Sequence, residues 1–188
     1  MNDADEHELF KVLNKLPDFI PNDMWLAGGA IRRTLMGMDL NSDYDFFFRS
    51  EDTLVRYAKA LEKKGAKKTK QTEHQITYVI DIDNKPRTIQ LIKIKYYLSA
   101  EEVIDTFDFT ITQFAYDGEY LYCGDYSLWD LGRKRLALHK LTYGVATMRR
   151  LLKYTNQGFT ACAGVMQSIL QAVIDNPNVV QSEVQYVD

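Results

Sequence analysis

Cysteine, histidine and proline are scarce in this 188-residue chain, at two, three and four copies. The two cysteines, Cys123 and Cys162, lack the spacing of a structural zinc site and suit reduced thiols better than a disulfide framework. The histidines, His7, His74 and His139, are scattered and form no catalytic or metal-ligating set. No apolar run approaches the ~20 residues that span a bilayer. The opening residues, Met1 to Glu8, are acidic and polar, unlike a secretory leader. A cytoplasmic protein without membrane attachment is therefore expected. A basic excess is also missing: the net charge of −3 argues against broad, sequence-independent nucleic-acid binding.

Apolar residues make up 46% of the chain, enough to build the core of one domain with a small helical extension. Leu9, Val12, Leu13 and Leu16 are spaced for one face of a helix over Glu8 to Leu16, which Pro17 and Pro21 end. Met24 to Ala27 reads as a strand, Gly28 and Gly29 as a turn, and Ala30 to Met36 as a helix stopped by Gly37. Tyr44 to Phe48 is a strand, and Ser50 caps a helix over Glu51 to Lys64.

Gln75 to Ile82 and Thr88 to Tyr96 form two β runs joined by a turn at Asp83 to Pro86. Ser99 and Glu102 make a capping-box pattern for a short helix. Phe109 to Tyr116 alternates as a strand, and Asp117-Gly118 turns it into Tyr120 to Cys123. Helical patterning returns from Thr142 to Lys153, breaks at Gly158 and resumes from Thr160 to Ile174. The last dozen residues are polar and expected to be loose. The fold expected is α+β: a head over residues 1–140 with a mixed β-sheet and flanking helices, and a helical neck over 141–188.

Within the head, a glycine pair opens a helix and an Asp-x-Asp pair follows. Residues two apart in a strand share a face, so Asp43 and Asp45 present two carboxylates together. Like charges so placed are costly unless a cation offsets them, and Mg²⁺ or Mn²⁺ does so while bridging nucleotide phosphates. The Gly28-Gly29 turn leaves backbone N–H groups open to close approach by an anion, and Arg32 can add a charge-assisted contact. Each signal alone also describes an ordinary turn and a solvated strand end; their combination points to nucleotide chemistry.

The run from Gly28 to Gly37, with Asp43-Tyr-Asp45 after it, resembles the head signature of polymerase-beta-type nucleotidyltransferases. It is most similar to the branch of bacterial poly(A) polymerases and CCA-adding enzymes. The segment from Asp108 to Tyr116 resembles a second motif of that branch. Asp130-Leu131 with Leu136 to Leu138 resembles the segment that closes its head, and Met148 to Tyr154 its first neck helix.

The resemblance implies metal-dependent transfer of a nucleoside monophosphate from a nucleoside triphosphate to a hydroxyl of an RNA or protein acceptor. It makes Asp43 and Asp45 the catalytic, metal-binding pair. Gly28, Gly29 and Arg32 would hold the triphosphate, with Asp108 near the sugar or bracing the site.

Three places in the chain depart from that pattern. The later strand that carries a third carboxylate in many relatives places Gln90 there, an amide that ligates only through its carbonyl oxygen and cannot act as a base. Thr106-Phe107 replaces an arginine pair, and Tyr143 to Thr147 lacks the acid and base groups that select the incoming base. CCA addition as such is therefore not expected, and a nucleotide-binding or interaction protein with degraded catalysis is the alternative. The basic run from Lys63 to Lys70 reads as a solvated helix end, or else as a patch for RNA.

Overall fold

The computed structural model describes residues 7–181. The first residues of the acidic start (1–6) and the end of the expected loose tail (182–188) lie outside the described residues. No helix among the described residues is long and apolar enough to cross a membrane. The chain divides into two compact units, one running up to Ile104 and including Phe114–Tyr122, the other comprising Asp105–Gln113 and the chain from Cys123 onward.

The first unit is built on a seven-stranded mixed sheet. Its strands are β1 (Met24–Ala27), β2 (Tyr44–Phe48), β3 (Lys67–Gln71), β4 (Gln75–Ile82), β5 (Lys85–Ile92), β6 (Phe114–Tyr116) and β7 (Leu121–Cys123), in the order β3-β4-β5-β2-β1-β6-β7. β2 and β5 run parallel, while β1 is antiparallel to both β2 and β6. Alternation along β4 puts Ile76, Tyr78, Ile80 and Ile82 into the core and turns Thr77, Val79 and Asp81 outward.

Helix α1 spans Glu8–Leu13, α2 Gly29–Leu35, α3 Glu51–Lys63 and α4 Ala100–Ile104. Ser50 caps α3 by accepting from the Thr53 N–H at 3.2 Å, and Glu51 and Asp52 suit its positive end. Leu54, Tyr57, Ala58 and Leu61 form its buried stripe. Tyr57 packs its ring 5.2 Å from Phe46 and 5.9 Å from Phe48, both on the core face of β2.

Two strands on one side of the sheet differ from the reading of the sequence. Lysines 67, 68 and 70 lie in β3, an edge strand exposed along its whole length, rather than at a solvated helix end. Lysine on an edge strand opposes pairing with another chain, so the charge has a structural use there. β5 starts three residues earlier than expected, because Asp83 and Asn84, at φ 54° and 60°, make a two-residue turn that pairs Ile82 with Lys85.

The second unit is helical: α5 (Ser127–Gly132), α6 (Gly144–Asn156), α7 (Ala163–Asp175) and α8 (Asn178–Gln181). α8 falls within the stretch expected to be loose. Of the strand expected over Phe109 to Tyr116, only β6 forms; Thr110–Thr112 is instead a 3-10 turn. The Thr112 hydroxyl donates to the Phe109 carbonyl at 2.8 Å and the Thr110 hydroxyl to Asp130 at 2.7 Å, local bonds that compete with a ladder. Phe109 and Tyr154 meet edge to face at 5.7 Å in the core of this unit.

Two consequences are measurable. Leu61 is fully buried, so Leu61→Ala should cost about 2–5 kcal/mol in urea denaturation. Glu8 pairs with Arg87, whose hydrogen bond, and then its charge, outweigh desolvation and hold the Glu8 carboxyl below its ordinary range. A carboxyl depressed by folding adds stability above its unfolded pKa, about 4.3, and loses it as pH falls through the lower folded value. Glu8→Gln should therefore be less stable than the parent at neutral pH, and the gap should close as the melts are taken below about pH 4.

Candidate functional site

β1 and β2 bring the glycine turn to the carboxylates. Their antiparallel register sets Ala27 across from Asp45, so Gly28, the next residue, begins its turn one strand away from the acid pair. Gly28 stands at φ 86°, ψ −132°, a backbone conformation that a side chain disfavours, and its N–H donates to the Phe114 carbonyl at 3.2 Å. The chain then enters α2 at Gly29. Gly29 has no such constraint: a Cβ placed there meets Ser42 at an ordinary 3.7 Å.

Asp43, exposed, precedes β2, and Asp45, half-buried, lies within it. Both alternate with the core residues Tyr44 and Phe46, which puts them on the face opposite α3. On the other side of β2, the parallel register sets Asp45 beside Gln90 of β5, and the Gln90 amide nitrogen donates to an Asp43 carboxylate oxygen. The neutral third position expected from the sequence thus sits directly against the acid pair.

Among the described residues, no group of three or more His, Cys, Asp or Glu side chains could hold a metal ion. A divalent cation here would rest on Asp43 and Asp45, with water or ligand oxygens completing its shell. Hard carboxylate oxygens suit Mg²⁺ or Mn²⁺, which commonly bind through one or two carboxylates plus phosphate. The fit gains from Ser42, whose hydroxyl is buried without a hydrogen-bond partner among the described residues and lies 3.8 Å from where a Cβ on Gly29 would stand. An orphaned hydroxyl at the glycine turn is a donor ready for an anion. Sequence reasoning passed over Ser42, and its only signal was its place directly before Asp43.

Arg32 is 2% exposed within α2. Asp108 belongs to the second unit, where it is 6% exposed. One of its carboxylate oxygens accepts from the Thr147 hydroxyl at 3.0 Å and from Arg150 at 2.9 Å, tying it to α6. Its carbonyl accepts from the His139 N–H at 2.7 Å. The structure therefore brings Gly28, Gly29, Asp43, Asp45 and Gln90 together and engages Asp108 with the neck-like helix of its own unit.

The fold is that of the poly(A)-polymerase and CCA-adding type of nucleotidyltransferase. The Thermotoga maritima CCA-adding enzyme complexed with tRNA matches with a TM-score of 0.62 at 17% identity, over 81% of this chain and 38% of that one. The Bacillus stearothermophilus CCA-adding enzyme in complex with CTP matches with a TM-score of 0.57 at 18% identity, over 98% of this chain and 46% of that one. A family model described as Gabija anti-defense 2 family protein matches residues 4–134, more than half of the chain, and the chain belongs to that family. The Gabija anti-defense 2 protein of Bacillus phage SPbetaL7 is 25% identical over 142 residues. That alignment takes in 74% of this chain and 34% of the phage protein, so the chain spans about a third of the length of the curated relative it matches.

Stability separates the two aspartate sites. Asp108→Ala removes two charge-assisted hydrogen bonds from a buried carboxylate and should cost about 1.5–3 kcal/mol. Asp43→Asn, at an exposed position, should stay within about 0.5 kcal/mol of the parent in the same urea titration.

Proposed function

We propose that the chain is a metal-dependent nucleotidyltransferase that moves a nucleoside monophosphate from a nucleoside triphosphate to a hydroxyl of an RNA or protein acceptor. The observation that carries this reading is the β1–β2 register, which sets Asp45 across from the residue before the glycine turn. In it, residues 1–140 act as the transferase head and 141–188 as a neck. The family name adds a setting: the protein works against Gabija defense.

In this reading Asp43 and Asp45 hold Mg²⁺ or Mn²⁺, which supplies neutralisation of phosphate charge. The backbone at Gly28 and Gly29, with the Ser42 hydroxyl, holds phosphate oxygens, and buried Arg32 adds positive charge to the same short helix. Asp108 braces the neck helix through Arg150 and so acts as a positioning residue. The acceptor oxygen bonds the α-phosphorus, the bridge to the β-phosphate breaks, and pyrophosphate leaves. The hydroxyl proton passes to water, since the Gln90 amide cannot take it. Positioning and electrostatics carry the rate, as phosphoryl-group chemistry requires.

Gln90 favours a second reading, in which the chain binds nucleotide without transferring it. Its contact with Asp43 stands where a third carboxylate would complete the metal set. The two readings separate in one assay: each labelled nucleoside triphosphate with Mg²⁺ or Mn²⁺, a mixed RNA pool and a mixed protein pool. Transfer should appear and fall at least about a hundredfold in Asp43→Asn/Asp45→Asn, the scale of losing a main electrostatic group. Nucleotide binding with no transfer by the parent chain supports the second reading instead.

Gly29→Ala offers a further check. Its backbone and surroundings accept a Cβ, so stability should hold or rise by about 0.4–1 kcal/mol. Triphosphate affinity, measured by calorimetry, should fall, because the methyl group stands where the anion approaches.

A further inference from the structure

The first unit carries a groove of about 630 Å³ formed by the segment from Phe10 to Asn22 and the turn from Tyr116 to Tyr122. Its walls are aromatic. Tyr116 meets Phe10 at 6.1 Å and Phe19 at 5.5 Å, both edge-on, and Phe10 and Tyr120 are 40% and 59% exposed. Gly118, at φ 102°, lets the turn close onto Phe19, where a Cβ would come within 3.0 Å. Asp18, Asp117 and Glu119 line the groove, and among the described residues no lysine, arginine or histidine does.

Two cations near the groove already have partners. Lys15 pairs with Asp83, and Arg49 donates to the Asn22 carbonyl at 3.0 Å with Asp23 close to it. Two tyrosine hydroxyls are also used internally. Tyr116 donates to the Gly118 carbonyl at 2.7 Å and Tyr122 to Asp117 at 2.9 Å. With those donors consumed, the groove presents π faces and carboxylate acceptors. Burial raises the Asp117 pKa, but N–H bonds from Tyr120 and Glu119 and the Tyr122 hydroxyl outweigh it, so the carboxyl is held below its ordinary range and stays ionised.

A surface of this kind repels phosphate and attracts a cation with many donors. Guanidinium meets both demands: it stacks on tyrosine and phenylalanine and offers five N–H groups to carboxylates. The volume lies within the range of ligand clefts and exceeds what one guanidinium fills, so flanking residues of a chain would enter with it. We propose that this groove docks an arginine-bearing segment of a partner protein, with Asp18 and Glu119 as its acceptors, Asp117 adding negative charge, and the Tyr116 and Tyr120 rings as its stacking faces. The groove draws on none of the residues assigned to nucleotide, so the inference stands apart from the transferase reading.

The test is an NMR titration of the 188-residue chain with a five-residue peptide carrying two arginines, with the same peptide carrying citrulline, and with ATP. The arginine peptide should shift the amides of residues 116–122, and the citrulline peptide should not. Affinity should drop at least about tenfold in Asp18→Asn/Glu119→Gln, two exposed positions whose substitution spares the core. Equal shifts from both peptides, unchanged affinity in the double variant, or no shift at millimolar arginine peptide would overturn the proposal. So would ATP binding in this groove.

Discussion

The pairing of β1 with β2 is the constraint on which the candidate site depends. Four residues of each strand match in antiparallel register, from Met24 with Phe48 to Ala27 with Asp45. Because side chains alternate along a strand, a slip of one residue would send Asp45 toward α3 and Phe46 toward solvent. The cost of exposing Phe46 and Phe48, both fully buried against Tyr57, locks the register. Hydrophobic packing on one face of β2 therefore holds the carboxylates on the other. Gly28 completes the arrangement by turning the chain at positive φ at the end of β1.

The same sheet explains why the candidate site presents two carboxylates. β5 lies parallel to β2 and delivers position 90 beside Asp45, the place from which a third acid could act. An amide there relieves some repulsion by donating to Asp43, at the expense of a base. Structure and chemistry pull in different directions at this one residue, and the two proposed readings divide on it. The second unit keeps the pair of buried Asp108 and half-buried Arg150, which secures α6 to the segment preceding the 3-10 turn.

Much of this was legible in the residues. β1, β2, α3 and β4 follow from apolar periodicity and one serine cap, and their bounds match the expected ones to within a residue. The glycine turn and the aspartate pair were readable because each needs special residues at a fixed spacing. β3 was not, since a strand of exposed lysine, threonine and glutamine has no alternation to detect. Thr110-Ile111-Thr112 looked like strand because its residues are β-branched, and tertiary partners such as Asp130 overrode that propensity. Neither the orphaned Ser42 hydroxyl nor the acidic aromatic groove can be read linearly, because both arise from segments distant in sequence.

Manganese is paramagnetic and broadens resonances near the place it binds, which makes it the most direct probe of the acid pair. In a heteronuclear NMR titration with Mn²⁺, the amides of Ala27 to Gly29 and Asp43 to Phe46 should broaden first. That broadening should be absent in Asp43→Asn/Asp45→Asn. Broadening centred on any other part of the chain, or unchanged by the double substitution, would contradict a cation site between β1 and β5.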